Sequence, residues 1–311
     1  MSKYKILNSI WFVLAEGIKI YFTNIDKFLT YMLFPVFGQL IGIALSFGLA
    51  LGFTDLIVAK VDNPWVAMLL VLLLAVPGLL IFVKAFWDFM VAYVALNSMT
   101  EGAISTGKVY DFQSHNEVAT RRTFPFVLLL LAVGLLSSLG SSIFFMVPGF
   151  VLWIYFILVY QIFTFEPELK TYEIFKRSFQ LVKGHWYRTF LLMAILAFFS
   201  IYIITQGISV VFDYLNLTDK IYGLFNPIST AMPLEFTNEL LTVLKQPVIT
   251  PDMISEKIYY SILFAIITGL TLPIRSICWT LWYMNLTELE LKNRNNNKKS
   301  KKSKKNEEEE E

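Results

Sequence analysis

Residues 123–165 read TFPFVLLLLAVGLLSSLGSSIFFMVPGFVLWIYFILVYQIFTF, 43 consecutive residues without one Asp, Glu, Lys or Arg. A helix that crosses a bilayer takes ~20 apolar residues, so this run holds two crossings. They divide at Met146–Gly149, where the Pro148-Gly149 pair marks a hairpin. Apolar runs recur on both sides. Upstream, a first crossing is expected at about residues 28–53 and a second from Pro64. The second is uncharged to Val83, and its pattern continues past Lys84 and Asp88 to Met99. This predicts one long helix that protrudes from the bilayer and bends at Pro77-Gly78. Downstream, crossings are expected at about 188–212 and 258–286. The reading is an all-α polytopic membrane helix bundle of six spans over residues 1–291, with one large outer loop at about 213–257.

Composition agrees. Of 311 residues 56% are hydrophobic, mean hydropathy is +0.59 and only 16% are charged, against ~25% in soluble domains. The single cysteine, Cys278, excludes an internal disulfide and reads as inert packing. His115 and His185 lie far apart, and no Cys/His cluster has metal-ligand spacing, so neither a metal nor another cofactor is expected. No HExxH, GxSxG, Walker or GxGxxG pattern occurs, which predicts a protein that is not an enzyme.

Net charge is +2, yet Lys292–Lys305 alone carry eight Lys/Arg and Glu307–Glu311 five acids, leaving 18 basic and 19 acidic residues in the body. The basicity is therefore a tail property, and no nucleic-acid partner is implied. The tail, 292–311, is of low complexity and predicted to be disordered and cytoplasmic. Its lysines suit anionic lipid headgroups at a membrane surface.

Charge also orients the chain, because Lys and Arg stay on the cytoplasmic side. Segments 1–27, 100–122, 166–188 and the tail hold twenty Lys/Arg, whereas 54–63, 146–149 and 213–257 hold four. Both termini are expected in the cytoplasm. The start of the chain reads as an interfacial amphipathic helix rather than a cleaved leader. Glu16 and Lys19 interrupt its apolar stretch, and Leu7, Trp11, Leu14, Ile18, Tyr21 and Ile25 recur at helical spacing.

The inner loops carry helices of their own. Ser114-His-Asn-Glu117 fits a capping box. Between spans four and five, Leu169, Tyr172, Phe175, Phe179, Val182 and Trp186 predict one apolar face. Lys170, Glu173, Lys176, Arg177, Gln180 and Lys183 fill the other. Either a helix packed on the bundle or a surface for lipid headgroups or a protein partner fits this pattern. In the outer loop a helix is expected after Pro233 through Leu244, with Phe236, Leu240, Val243 and Leu244 on its apolar face.

Small residues recur in span one at Gly38, Gly42, Ser46 and Ala50, with Gly48 and Gly52 as a second pair. This spacing lets helix backbones approach closely in lipid. It suits packing within the chain, and a homodimer contact is the lesser alternative; oligomeric state is left open. A similar stripe runs along span three at Gly134, Ser138 and Ser142.

Ionisable residues within spans are functional suspects. Counted inward at ~1.5 Å per residue, Lys84, Asp88, Glu166 and Arg275 all fall near the inner edge of the ~30 Å hydrocarbon. An Arg275–Glu166 or Arg275–Asp88 ion pair is the expectation, and a proton or substrate relay the alternative.

The stretch VPGFVLWIYFILVYQIFTFEPELKTYEIFKRSFQLVKGHWYRTF, residues 147–190, resembles a bacterial membrane-protein superfamily. This superfamily includes the membrane domain fused to some glycerophosphoryl diester phosphodiesterases and related stand-alone inner-membrane proteins of unknown function. Pro148, Gly149, Glu166, Arg177, Ser178, Gly184, Trp186 and Arg188 match its pattern in order, and LPIRSICWTLWYMNL resembles its last span. The resemblance implies a multi-span cell inner membrane architecture. It carries no phosphodiesterase activity, since the fused members' catalytic barrel has no counterpart here. The function expected is a non-catalytic membrane module that organises a partner or lipid environment. A small-molecule transporter or channel is the alternative, and an intramembrane lipid-acting enzyme a more distant one.

Overall fold

A computed structural model describes residues 9–109, 112–140, 146–230, 234, 238, 241–243 and 245–309. Every regular element among them is helical: α1 (Ile10–Thr23), α2 (Ile25–Lys60), α3 (Pro64–Thr106), α4 (Phe112–Thr120), α5 (Thr123–Gly140), α6 (Met146–Tyr155), α7 (Val159–Phe165), α8 (Thr171–Val182), α9 (Trp186–Ala197), a wide π turn (Phe198–Ile203), α10 (Ile204–Tyr214), α11 (Leu217–Thr230) and α12 (Pro251–Glu309). Five stretches are long and apolar enough to cross a membrane: 25–50, 65–106, 147–165, 186–214 and 251–293. α4 with α5, bent by 74° at the break between them, makes a sixth if the pair counts as one broken span. Large apolar side chains stay exposed along α3 from Trp65 to Phe86. Water does not tolerate so long an apolar stripe, whereas lipid does, and helices satisfy their backbone groups internally there.

Several details depart from the sequence reading. Pro148 and Gly149 lie in the first turn of α6, which begins at Met146, instead of forming a hairpin turn. A proline suits that first turn because its missing N–H would find no partner there. Ser114 lies inside α4, which starts at Phe112, so it does not cap the helix. The expected helix 188–212 contains the π turn. The outer loop forms α11 before Pro233. Of the helix expected after it, Pro233, Phe236, Leu240 and Leu244 lie outside the described residues. Leu241–Val243 are helical, with Val243 exposed, and Lys245 ends the turn at φ +54°.

The last helix continues to Glu309, where composition predicts disorder. After Pro273 the sequence has no Pro or Gly, and Lys and Glu are good helix formers. The first helix also does more than lie at an interface. It buries Ile10, Val13, Gly17, Ile20 and Tyr21, and leaves Trp11 and Ile18 of the expected stripe exposed. Leu7 lies outside the described residues.

The chain divides into two compact units. Unit 1 comprises Met1–Phe28, Val91–Leu196 and Leu272–Glu311; unit 2 comprises Leu29–Met90 and Ala197–Thr271. In unit 1, Gly17 lets α1 settle on Cys278, whose thiol faces the Val13 carbonyl at 3.9 Å. In unit 2, α2 and α3 meet backbone to backbone. A Cβ added at Gly78 would fall 2.2 Å from the Ser46 nitrogen, and one at Gly42 2.5 Å from the Phe82 nitrogen. Gly38 packs on the Ala85 methyl, which a Cβ there would meet at 2.8 Å, whereas Gly48 and Gly52 face open space. A core of Tyr259, Leu263 and Ile267 joins α12 to α10 and α11 through Ile204, Ile208, Phe212, Ile221 and Tyr222.

Candidate functional site

The chemistry-bearing residues of unit 1 converge on three helices, α3, α7 and α12. Asn97, on α3, is 1% exposed. Its Oδ1 accepts from Gln161 Nε2 (3.2 Å), Ser276 Oγ (2.9 Å) and Thr280 Oγ1 (3.2 Å), and its Nδ2 donates to Thr164 Oγ1 at 3.2 Å. One amide thus ties three helices in a setting where an unpaired polar group is costly. None of these residues is charged, which is why a search of the spans for charges passes over them.

About two turns further along α12, a second group forms around Glu166, the residue that ends α7. Its Oε1 accepts from Arg177 Nε at 3.1 Å and from Tyr283 OH at 2.9 Å. Arg177 then reaches Glu290 Oε2 at 2.8 Å. Burial opposes the Arg177 charge, but the hydrogen bonds to Glu290 and Glu166 outweigh it and hold the guanidinium pKa above its ordinary value. Arg122 closes the far side of α7. It donates to the Phe163 carbonyl at 2.8 Å and lies 4.4 Å over the Phe163 ring, a cation at a helix C-terminus as its dipole favours.

Arg177 was expected on the solvated face of α8. Instead α8 turns Ile174, Ser178, Leu181 and Val182 inward, about one position round from the stripe predicted by its aromatics. Ser178 donates to the Tyr155 carbonyl at 2.7 Å, and Phe179 meets the Tyr155 ring at 4.5 Å. Tyr172 and the lysines at 170, 176 and 183 stay outside. The backbone amide of Lys170 donates to Glu173 at 2.8 Å, which fixes the start of the helix.

The intramembrane charges do not assemble as expected. Lys84 and Asp88 pair with each other, one turn apart on α3, at 2.6 Å. Glu166 is taken by Arg177 and Tyr283. Arg275 enters no ion pair among the described residues, and its buried Nε has no hydrogen-bond partner. Its electrostatic neighbour is Tyr93. The reason is axial distance. Tyr283 is the α12 residue level with Glu166, and Arg275 precedes it by two turns, ~12 Å along the helix.

Of the residues that carry the family resemblance, Pro148 and Gly149 line a groove of about 240 Å³ in unit 1. Tyr93, Trp153, Phe156, Tyr160 and Phe175 supply its aromatic wall, with Tyr93 edge-on to Tyr160 at 4.9 Å. Gly184 adopts φ +89°, the left-handed turn between α8 and α9 that glycine takes without strain. Trp186 stacks on Phe190 at 5.6 Å. Arg188 is exposed and turned outward. Among the described residues no group of three or more His, Cys, Asp and Glu is placed to hold a metal ion.

The fold and this site define a helical, multi-pass membrane protein. No family model, curated protein or solved structure matches the chain.

Proposed function

We propose that this chain is a non-catalytic membrane module that organises anionic lipids or a protein partner at the cytoplasmic face of a bacterial cytoplasmic membrane, with both termini on that side. The observation that carries the reading is the division of labour on α8. Its acid-pairing cation, Arg177, is turned inward and consumed in the bond chain Glu166–Arg177–Glu290. Lys170, Lys176, Lys183 and Tyr172 are presented outward. A helix with basic residues beside aromatic ones suits a headgroup layer. The likeness of residues 147–190 to the membrane domain of glycerophosphoryl diester phosphodiesterases is compatible with this role and adds no chemistry to it.

The test is lipid enrichment. The full chain is extracted into nanodiscs from membranes containing phosphatidylcholine and phosphatidylglycerol, and the retained lipids are counted. Changing Lys170, Lys176 and Lys183 to Gln together should lower the phosphatidylglycerol share. An unchanged share removes the reading. Reporter fusions at residues 58, 115, 175, 235 and 300 test the orientation, and a cytoplasmic signal at 235 would overturn it.

A transporter remains the second reading, because Arg275 Nε and Gln161 Oε1 are buried without hydrogen-bond partners among the described residues. Unpaired polar groups within a span are what a permeating anion or proton would use. Uptake into vesicles that is abolished by Arg275→Gln would favour it.

A further inference from the structure

Unit 2 contains a groove of about 730 Å³ between α2 and the start of α12. Its wall is apolar, with Leu40, Ala44, Phe47, Phe225 and Met253 among the lining residues and Lys257 as the sole charged one. Lys257 is exposed and forms no ion pair among the described residues. The lining has a direction. On α12 it runs from Met253 and Lys257 to Thr268. The eleven helical steps from Lys257 to Thr268 measure ~16 Å, which is half of a ~30 Å hydrocarbon core. On α2 the lining runs from Phe47 to Val36, over the same length in the opposite chain direction. The groove is therefore one leaflet deep, with its cation at the end where the span begins and apolar wall below.

We propose that this groove seats one acyl chain of an anionic membrane phospholipid, with the lipid phosphate on the Lys257 ammonium. Depth, wall chemistry and charge each select that occupant. A chain that starts at the interface and stops at the midplane fills one leaflet. The wall offers little to hydrogen-bond a polar solute. A lone cation at the mouth favours a phosphate with net negative charge over a zwitterionic headgroup. The inference uses unit 2 alone and does not depend on the reading of α8.

Native mass spectrometry of the detergent-purified full chain, titrated with dioleoyl phosphatidylglycerol or dioleoyl phosphatidylcholine, tests it. The wild type should retain one phosphatidylglycerol in preference to phosphatidylcholine. Lys257→Gln should weaken phosphatidylglycerol about fivefold, the equivalent of ~1 kcal/mol for one lysine at a membrane surface, and leave phosphatidylcholine unchanged. Lys257→Arg should keep the preference. Ala265→Phe, which fills the groove, should displace both lipids. The triple Gln variant of α8 should leave this one tight lipid in place. A preference that survives Lys257→Gln overturns the proposal, as does a lipid still held by a chain with the groove filled. A wild type that retains no lipid also overturns it.

Discussion

In unit 1 the contacts that join the spans are side-chain hydrogen bonds, with Asn97 Oδ1 accepting from α7 and α12 at once. In unit 2, α2 and α3 meet backbone against backbone, with Gly42, Ser46 and Gly78 clearing the space and the Ser46 hydroxyl donating to the Ala75 carbonyl at 3.2 Å. Both solve one problem. Helices in lipid gain nothing from the hydrophobic effect when they associate, so packing and hydrogen bonding must do it. The two solutions fail differently. A close backbone contact is intolerant of added volume, whereas a polar hub is intolerant of a lost partner.

The largest effect is therefore expected at Gly78. Gly78→Leu forces a side chain into the Ser46 backbone, and α2 and α3 must part. The cost should lie at or beyond the ~3 kcal/mol upper end of ordinary overpacking, seen as loss of monodisperse protein in detergent. Gly48→Leu, on the facing helix α2 but directed into open space, should leave the melting temperature unchanged. Equal behaviour of the two would show that the α2–α3 contact is not what holds unit 2.

Asn97→Leu comes next. It strands Gln161, Ser276 and Thr280 without their shared acceptor, at about 2 kcal/mol by the cost of unsatisfied buried groups. An ordinary interhelical hydrogen bond in a membrane is worth only ~0.6 kcal/mol. A drop in melting stability near the smaller figure would mean that the hub relaxes and that unit 1, too, is held mainly by packing.

The Glu166–Arg177 pair should be weaker still. Buried pairs cost ~3–5 kcal/mol when one partner is removed, and exposed ones contribute under ~1 kcal/mol. Both side chains here are about one-fifth exposed, which places the loss between these limits, at roughly 1–2 kcal/mol for Glu166→Gln. A double-mutant cycle with Arg177→Gln should show coupling. The same cycle with Arg275→Gln should be additive. Coupling to Arg275 in place of Arg177 would reverse the assignment made from the geometry.

The span pattern was readable because bilayer thickness fixes helix length, and 43 uncharged residues allow little else. The packing stripe of α2 was readable because small residues at every fourth position have one use in lipid. What was not readable depends on neighbours far away in sequence. Arg177 looks like any surface cation on α8 until Glu166 and Glu290 are brought beside it. Asn97 and Gln161 carry no charge and sit in apolar runs, so nothing local marks them as a hub. The Arg275–Glu166 pairing failed on a register that residue counting from estimated span ends does not resolve. α12 begins at Pro251, seven residues before the expected start.

The smallest effect separates the units by pH. His185 lies in unit 1, at the turn from α8 into α9. Burial lowers its pKa, and the Arg188 charge lowers it further. A histidine whose folded pKa is depressed is charged first in the unfolded chain. Its contribution to stability is then present above the unfolded value of ~6.5 and is lost as pH falls from there through the folded pKa. Melting should therefore weaken slightly between pH 7.5 and 5. His185→Gln should flatten that slope, and Arg188→Gln should reduce it, since one of its two causes is gone. The window matters, because Glu173 is also shifted, downward through its hydrogen bond from the Lys170 amide. A depressed carboxyl keeps its contribution above its unfolded pKa, near 4.3, so its loss begins only below that. A slope between pH 7.5 and 5 that persists in His185→Gln would place the acid sensitivity elsewhere, and Arg188→Gln would then have no reason to change it.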